Sequence, residues 1–218
     1  MRFLTILAAL LLTPAAAFAQ YYSGGSNWDF SIGAIYQTGK SAGGSNGSSL
    51  QTSDEVGLGL TLGYRLNRWF TIGGDFDYLS PRYSAVLVSE NDPADTIDIS
   101  HRATQFNGRI KGTFNFTEGP FIPYAQLGIG WSSFDSNVAD GPPQTGCWWH
   151  PWWGYICSNY YRTYGSSEFS YGVAVGARYE FAGGTFLNLS YDYWELDTGG
   201  SRANPGLESV RLLYGWKF

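Results

Sequence analysis

From Val56 the chain reads V-G-L-G-L-T-L-G-Y-R: Val56, Leu58, Leu60, Leu62 and Tyr64 alternate with Gly57, Gly59, Thr61, Gly63 and Arg65. A period of two is that of an extended strand, whose successive side chains point to opposite faces. This strand therefore has one apolar environment and one small or polar environment. The pattern constrains the fold because it recurs. Eight strands are predicted, over about Trp28–Gln37, Asp54–Arg65, Phe70–Leu79, Ile99–Phe116, Ile122–Phe134, Phe169–Phe181, Phe186–Glu195 and Glu208–Phe218. Each carries an apolar parity, such as Phe30, Ile32, Ala34 and Tyr36 in the first and Val210, Leu212, Tyr214, Trp216 and Phe218 in the last. No stretch beyond the first nineteen residues is continuously apolar for 18 residues, which excludes helical membrane spans.

The connections alternate between long and short. Thr38–Ser53, Ser80–Asp98, Asp135–Glu168 and the medium Leu196–Leu207 are separated by short ones at Leu66–Trp69, Thr117–Phe121 and Ala182–Thr185. Short turns on one side and long loops on the other are what a barrel crossing an outer membrane has, with the short turns in the periplasm and both termini beside them. In lipid every backbone polar group must be paired, so such a sheet closes on itself. The apolar parity must then meet lipid, where an Arg or Lys at the midplane would cost about 2–4 kcal/mol. The charges fall largely on the other parity: Asp29, Arg65, Asp75, Asp77, Arg109, Lys111, Arg178, Glu180, Asp192, Arg211 and Lys217 are predicted to form a lumen charge network. Gly57, Gly59, Gly63, Gly73, Gly128, Gly130, Gly172 and Gly176 make room for it. Phe70, Phe116, Phe181, Trp216 and Phe218 near the periplasmic ends, and Tyr36, Tyr78, Trp131, Tyr171 and Tyr193 near the outer ends, read as two interfacial girdles. With 18% aromatic and only 14% charged residues, a soluble eight-stranded barrel is the weaker reading. The expected fold is all-β: an eight-stranded antiparallel up-and-down transmembrane β-barrel.

Residues 1–19 read as a cleaved secretory signal peptide: Arg2, an apolar core from Phe3 to Leu12, and an A-x-A site at Ala17–Ala19. The barrel domain is then 20–218, and the cell outer membrane is its expected location. The net charge of −5 and the absence of any basic run argue against nucleic acid as a partner. Two cysteines in an oxidising compartment favour a disulfide between Cys147 and Cys157.

The eight-strand pattern, the strand "PYAQLGIGW" at Pro123–Trp131 and the ending "VRLLYGWKF" resemble the small outer-membrane β-barrel proteins of Gram-negative bacteria, the group that holds the outer membrane protein A barrel and the opacity-type proteins. The resemblance covers essentially the whole mature chain. It implies that Tyr214, Trp216 and Phe218 form a C-terminal signal read by the barrel-assembly machinery. It also implies a monomer surrounded by outer-membrane lipid and lipopolysaccharide. No peptidoglycan-binding domain is expected after the barrel, a departure from the pattern of full-length outer membrane protein A.

Three places are candidates for function. The lumen of an eight-stranded barrel is just wide enough for side chains to fill it, so a plug of paired charges is expected in preference to a narrow porin-like channel. Catalysis is not expected. Some barrels of this kind modify lipid A with a Ser-His or equivalent acid–base set, and Ser100-His101 at the top of the fourth strand has the right height, but neighbours on a strand point to opposite faces. The motif of a His followed closely by Ser-Asn is absent. The third candidate is the outer loop surface. Its first loop is flexible by composition. The Ser89–Asp95 segment reads as a solvated acidic turn rather than a Ca²⁺ site. The long third loop carries "CWWHPWWGYIC", where Trp148, Trp149, His150, Trp152, Trp153 and Tyr155 are candidate surface contacts. These rings are expected to pack on the loop's own neighbours and the lipid headgroup zone, with partner contact as the alternative. No metal and no cofactor are expected: His150 and two thiols fall short of the four well-held donors of a zinc site. The role these features imply is structural, in envelope integrity or surface presentation. Surface adhesion through 135–168 is the first alternative and a narrow channel the second.

Overall fold

The computed structural model describes residues 27–43, 49–88, 96–139, 142, 144–160, 163–197 and 206–218. The predicted signal peptide and the Ser89–Asp95 turn lie outside these residues. The chain forms strands β1 (Trp28–Gln37), β2 (Ser41–Gly43), β3 (Ser49–Thr52), β4 (Glu55–Arg65), β5 (Phe70–Leu79), β6 (Arg82–Val88), β7 (Thr96–Arg102), β8 (Thr104–Asn115), β9 (Phe121–Ala139), β10 (Gln144–His150), β11 (Gly154–Tyr160), β12 (Thr163–Glu180), β13 (Thr185–Asp197) and β14 (Gly206–Lys217).

Eight of these close into a barrel in the order β1-β14-β13-β12-β9-β8-β5-β4, each antiparallel to its neighbours. The alternation read from the sequence is realised as two faces. Val56, Leu58, Leu60 and Leu62 are exposed on the outside of β4, while Gly57, Gly59 and Gly63 are buried between them. β14 closes the ring against β1 in unbroken register, from Asp29 opposite Lys217 to Gln37 opposite Ser209. The turns at the periplasmic end are tight. In Ala182-Gly183-Gly184 both glycines take positive φ, at 102° and 81°, which a side chain would resist.

The outer end carries further strands within the long connections. β2, β3, β6 and β7 form a four-stranded sheet in that order, and β10 pairs with β11. β6 and β7 continue the β5–β8 ladder without a change of register, from Tyr78 opposite Phe106 to Arg82 opposite Arg102 and Val88 opposite Thr96. β2 and β3 continue the β1–β4 ladder in the same way. Part of the barrel wall therefore rises past the membrane band as a crown. Asp54, between β3 and β4, accepts hydrogen bonds from the Tyr36 hydroxyl and the Gly39 N–H, which hold its carboxyl below the usual carboxylate range. The first loop, expected to be flexible, contains strands because its backbone groups find partners in this ladder. Glycine-rich composition does not reveal a continuing register.

Candidate functional site

The lumen is filled in layers. Near its outer end Gln37 and Gln105 exchange amide hydrogen bonds of 3.0 and 3.1 Å, and Gln105 also donates to Asn107 at 3.1 Å. Below them lies a core of three acids and three bases, all buried: Asp75, Asp77, Asp192, Arg109, Lys111 and Arg211. Arg109 meets Asp77 at 2.8 Å, Arg211 meets Asp75 at 2.9 Å and Asp77 at 3.2 Å, and Lys111 bridges Asp75 and Asp192. At the periplasmic end Arg178 pairs with Asp29 at 2.8 Å, and Glu180 holds both Arg65 and Lys217. All eleven charged residues assigned to the interior by parity lie there, buried or half-buried.

Where the partners come from decides what the layers do. Arg211 on β14 and Asp75 on β5 stand three strands apart around the ring, as do Lys111 and Asp192, and Arg178 and Asp29. Arg65 on β4 and Glu180 on β12 are diametrically opposite. These ion pairs reach across the lumen and tie opposite walls together. Low-dielectric burial makes an unpaired charge costly, so each group is held by its partners.

Sequence parity did not identify the apolar residues inside. Trp194, Phe186, Leu213, Ile35, Leu79, Ile122 and Tyr124 are buried in the interior among the charges. The Arg109 guanidinium lies over the Trp194 ring at 4.3 Å, and that of Arg178 over Phe186 at 4.2 Å. Gly128 and Gly172 face each other across β9 and β12, and a Cβ on either would come within 2.7 Å of the Trp194 ring. The signal was present: Trp194 falls on the polar parity of its strand, and the inward positions level with it on the next two strands, Gly172 and Gly128, are glycine. Assigning large aromatics to the lipid face hid it.

The third outer loop is a hairpin. Cys147 and Cys157 stand directly opposite each other in β10 and β11, with Cα atoms 4.0 Å apart, and their sulfurs are bonded. This is near the ~4.5 Å spacing of a pair that exchanges no backbone hydrogen bonds, where side chains approach most closely. The bonded sulfurs are unavailable as thiolate ligands for a metal. Trp149 and Tyr155 form the next cross-strand pair on the same face and are 72% and 69% exposed; Trp152 and Trp153, in the turn, are 83% and 74% exposed. His150 stacks on Trp153 at 4.3 Å, and its Nδ1 accepts the Trp152 N–H. Trp149, Trp152, Trp153 and Tyr155 thus stand largely exposed, with His150 the ring neighbour of Trp152 and Trp153. A seven-residue strand pair is too narrow to bury them. The Trp148 side chain lies outside the described residues.

Ser100 and His101 lie beyond the barrel strand β8, on the continuation of its ladder. Both belong to β7, in the crown, because the fourth predicted strand is interrupted at Ala103. Both are exposed, and the His101 ring lies 6.3 Å from that of Tyr83. Of the C-terminal residues, Trp216 contacts Phe30 at 5.1 Å, Tyr214 stands opposite Ile32, and the Phe218 N–H donates to the Trp28 carbonyl at 3.0 Å, so all three lie on the closing seam.

A closed barrel with an aliphatic and aromatic outer band, a charge-paired interior and long strands beyond one rim is an integral outer-membrane protein. The chain belongs to the outer membrane protein beta-barrel domain family, whose model matches residues 5–218. Among solved structures it is similar to Neisserial surface protein A, at 17% identity over 90% of this chain and 100% of that one, with a TM-score of 0.52. OprG of Pseudomonas aeruginosa is similar at 14% identity over 89% and 98%, with a TM-score of 0.52. Ail, the attachment invasion locus protein of Yersinia pestis, is similar at 14% identity over 88% and 97%, with a TM-score of 0.51. At such identities the likeness is one of fold. A comparison with curated protein sequences finds no match.

Proposed function

We propose that the protein is a non-catalytic, non-conducting barrel that serves envelope integrity and presents a rigid aromatic hairpin at the cell surface. The observation that carries this reading is the set of ion pairs joining opposite walls of the lumen. A solute entering would have to break the central pairs, in which three acids balance three bases shielded from bulk water, and no part of that cost is returned by contact with a neutral solute. Neither histidine favours catalysis: His101 rests near Tyr83 in the crown, and His150 is engaged with Trp152 and Trp153 in the hairpin turn. Purified protein in a planar bilayer should give no reproducible conductance steps at neutral pH. Regular openings of defined amplitude would overturn the plugged reading.

A second reading, adhesion, is favoured by one observation: three tryptophans and a tyrosine stand exposed on a disulfide-stapled hairpin. Aromatic anchors dominate binding surfaces because they supply large contact area at small conformational cost. Under this reading, deleting residues 137–163 abolishes attachment to a cell, matrix or glycan surface while the barrel still folds. Undiminished attachment by the folded deletion variant would exclude it.

A further inference from the structure

The unbroken ladder that carries β5 and β8 into β6 and β7 places two arginines side by side. Arg82 and Arg102 are directly opposite each other across the strand pair. Opposite residues on one face have Cβ atoms roughly 4.5–5.5 Å apart, and like charges there are destabilising. Both side chains are exposed, and among the described residues neither forms an ion pair with a carboxylate. The backbone beneath them is fixed from both sides. The Arg82 carbonyl accepts the Ser53 N–H at 2.8 Å and its hydroxyl at 3.2 Å, and the Arg102 carbonyl accepts the Asn137 amide at 2.6 Å. Asn137 takes a positive φ of 56° at this contact. Two like charges are thus held together by a rigid support that does nothing to neutralise them.

The register also gives their side and height. Tyr78 and Phe106 are an opposed pair on the outward face, 51% and 48% exposed, and Tyr78 belongs to the outer girdle. Each arginine is four residues further along its strand, hence on the same face as that pair. Four residues span about 13 Å along a strand, or about 9 Å along the membrane normal at a 45° tilt. Measured from a girdle at the membrane interface, that height is at the outer edge of a headgroup layer about 5–7 Å thick, into which the long arginine side chains reach back. The opposite face is occupied by Tyr83 and His101, whose rings are 6.3 Å apart; the Tyr83 hydroxyl donates to the Ser136 carbonyl.

We infer that Arg82 and Arg102 form a clamp for the phosphate of an outer-leaflet lipid headgroup. Guanidinium groups present paired N–H donors that match phosphate oxygens, so one phosphate between them neutralises the repulsion and accepts bonds from both. A lipid phosphate is favoured over a free one because the pair sits on the membrane-facing side at headgroup height. The clamp does not depend on whether the lumen conducts.

The test uses the full mature chain in nanodiscs, with Arg82→Ala, Arg102→Ala and the double variant, and Arg68→Ala as a control on the periplasmic side, where Arg68 pairs with Glu118. The probes are bisphosphorylated lipid A, dephosphorylated lipid A and inorganic phosphate. Unheated gel mobility verifies that each variant is folded. Wild type should retain bisphosphorylated lipid A more tightly than the double variant by roughly thirtyfold, at about tenfold or less per arginine, with the control unchanged. Heat stability should change sign with the lipid. In phosphate-free lipid the single variants should be as stable as wild type or more so, because repulsion is relieved; with bisphosphorylated lipid A they should be less stable. Equal retention of phosphorylated and dephosphorylated lipid, or undiminished retention by the double variant, would overturn the clamp. Full displacement of the lipid by equimolar inorganic phosphate would overturn the lipid assignment.

Discussion

Asp75 illustrates how much rests on one side chain in a narrow lumen. Its carboxylate meets Lys111 and Arg211, which come from opposite sides of the barrel, and accepts the Thr61 hydroxyl at 2.8 Å. Asp75→Ala leaves two buried cations sharing the remaining acids, and removal of one partner from a buried ionic set typically costs about 3–5 kcal/mol. A loss of this size should appear as a lower midpoint in denaturant unfolding of the reconstituted barrel, with Glu118→Ala in the exposed periplasmic turn close to wild type. Trp194 is the apolar counterpart. It occupies space that Gly128 and Gly172 leave open, and it lies under the cations of Arg109 and Lys111 at 4.3 and 5.6 Å. The charges were legible from parity, because a charge on the lipid face is too expensive to occur there. Trp194 was not, since an aromatic ring is acceptable on either face and only the neighbouring strands decide which has room for it.

Among the elements, the β10–β11 hairpin is held differently from the crown. The crown strands are extensions of barrel ladders and inherit their register from the wall below. Within the hairpin the two seven-residue strands pair with each other, and an isolated two-stranded hairpin is marginally stable in water. The bond between Cys147 and Cys157 closes a short loop and removes unfolded-chain entropy worth about 3 kcal/mol in a model-dependent account. Cys147→Ser with Cys157→Ser should therefore speed amide hydrogen exchange in 144–160 while leaving exchange in β9 and β12 near the membrane band unchanged. Equal protection with and without the bond would mean that the exposed rings hold the hairpin by themselves. The existence of a disulfide was legible from two cysteines in a secreted chain. That they face each other as a cross-strand pair, with Trp149 and Tyr155 as the next pair on that face, follows only from the register.

For the whole molecule, closure is the governing condition. A sheet in lipid cannot leave an edge unpaired, so β14 must find β1, and the aromatic C-terminal residues lie along that seam. The hairpin is outside this closed circuit, which is why removal of 137–163 should leave unheated gel mobility intact even as it removes the aromatic surface. The sequence by itself determined the eight strands of the barrel, the face each turns outward, and which charges lie inside. All of these follow from a local period of two and from the large cost of placing polar groups in hydrocarbon. The tertiary structure alone decided which charges pair across the lumen, that Trp194 and Phe186 lie among them, that the outer loops continue as strands, and that Arg82 stands against Arg102. Those are relations between residues far apart in the chain, set by ring closure and strand register, which no local pattern records.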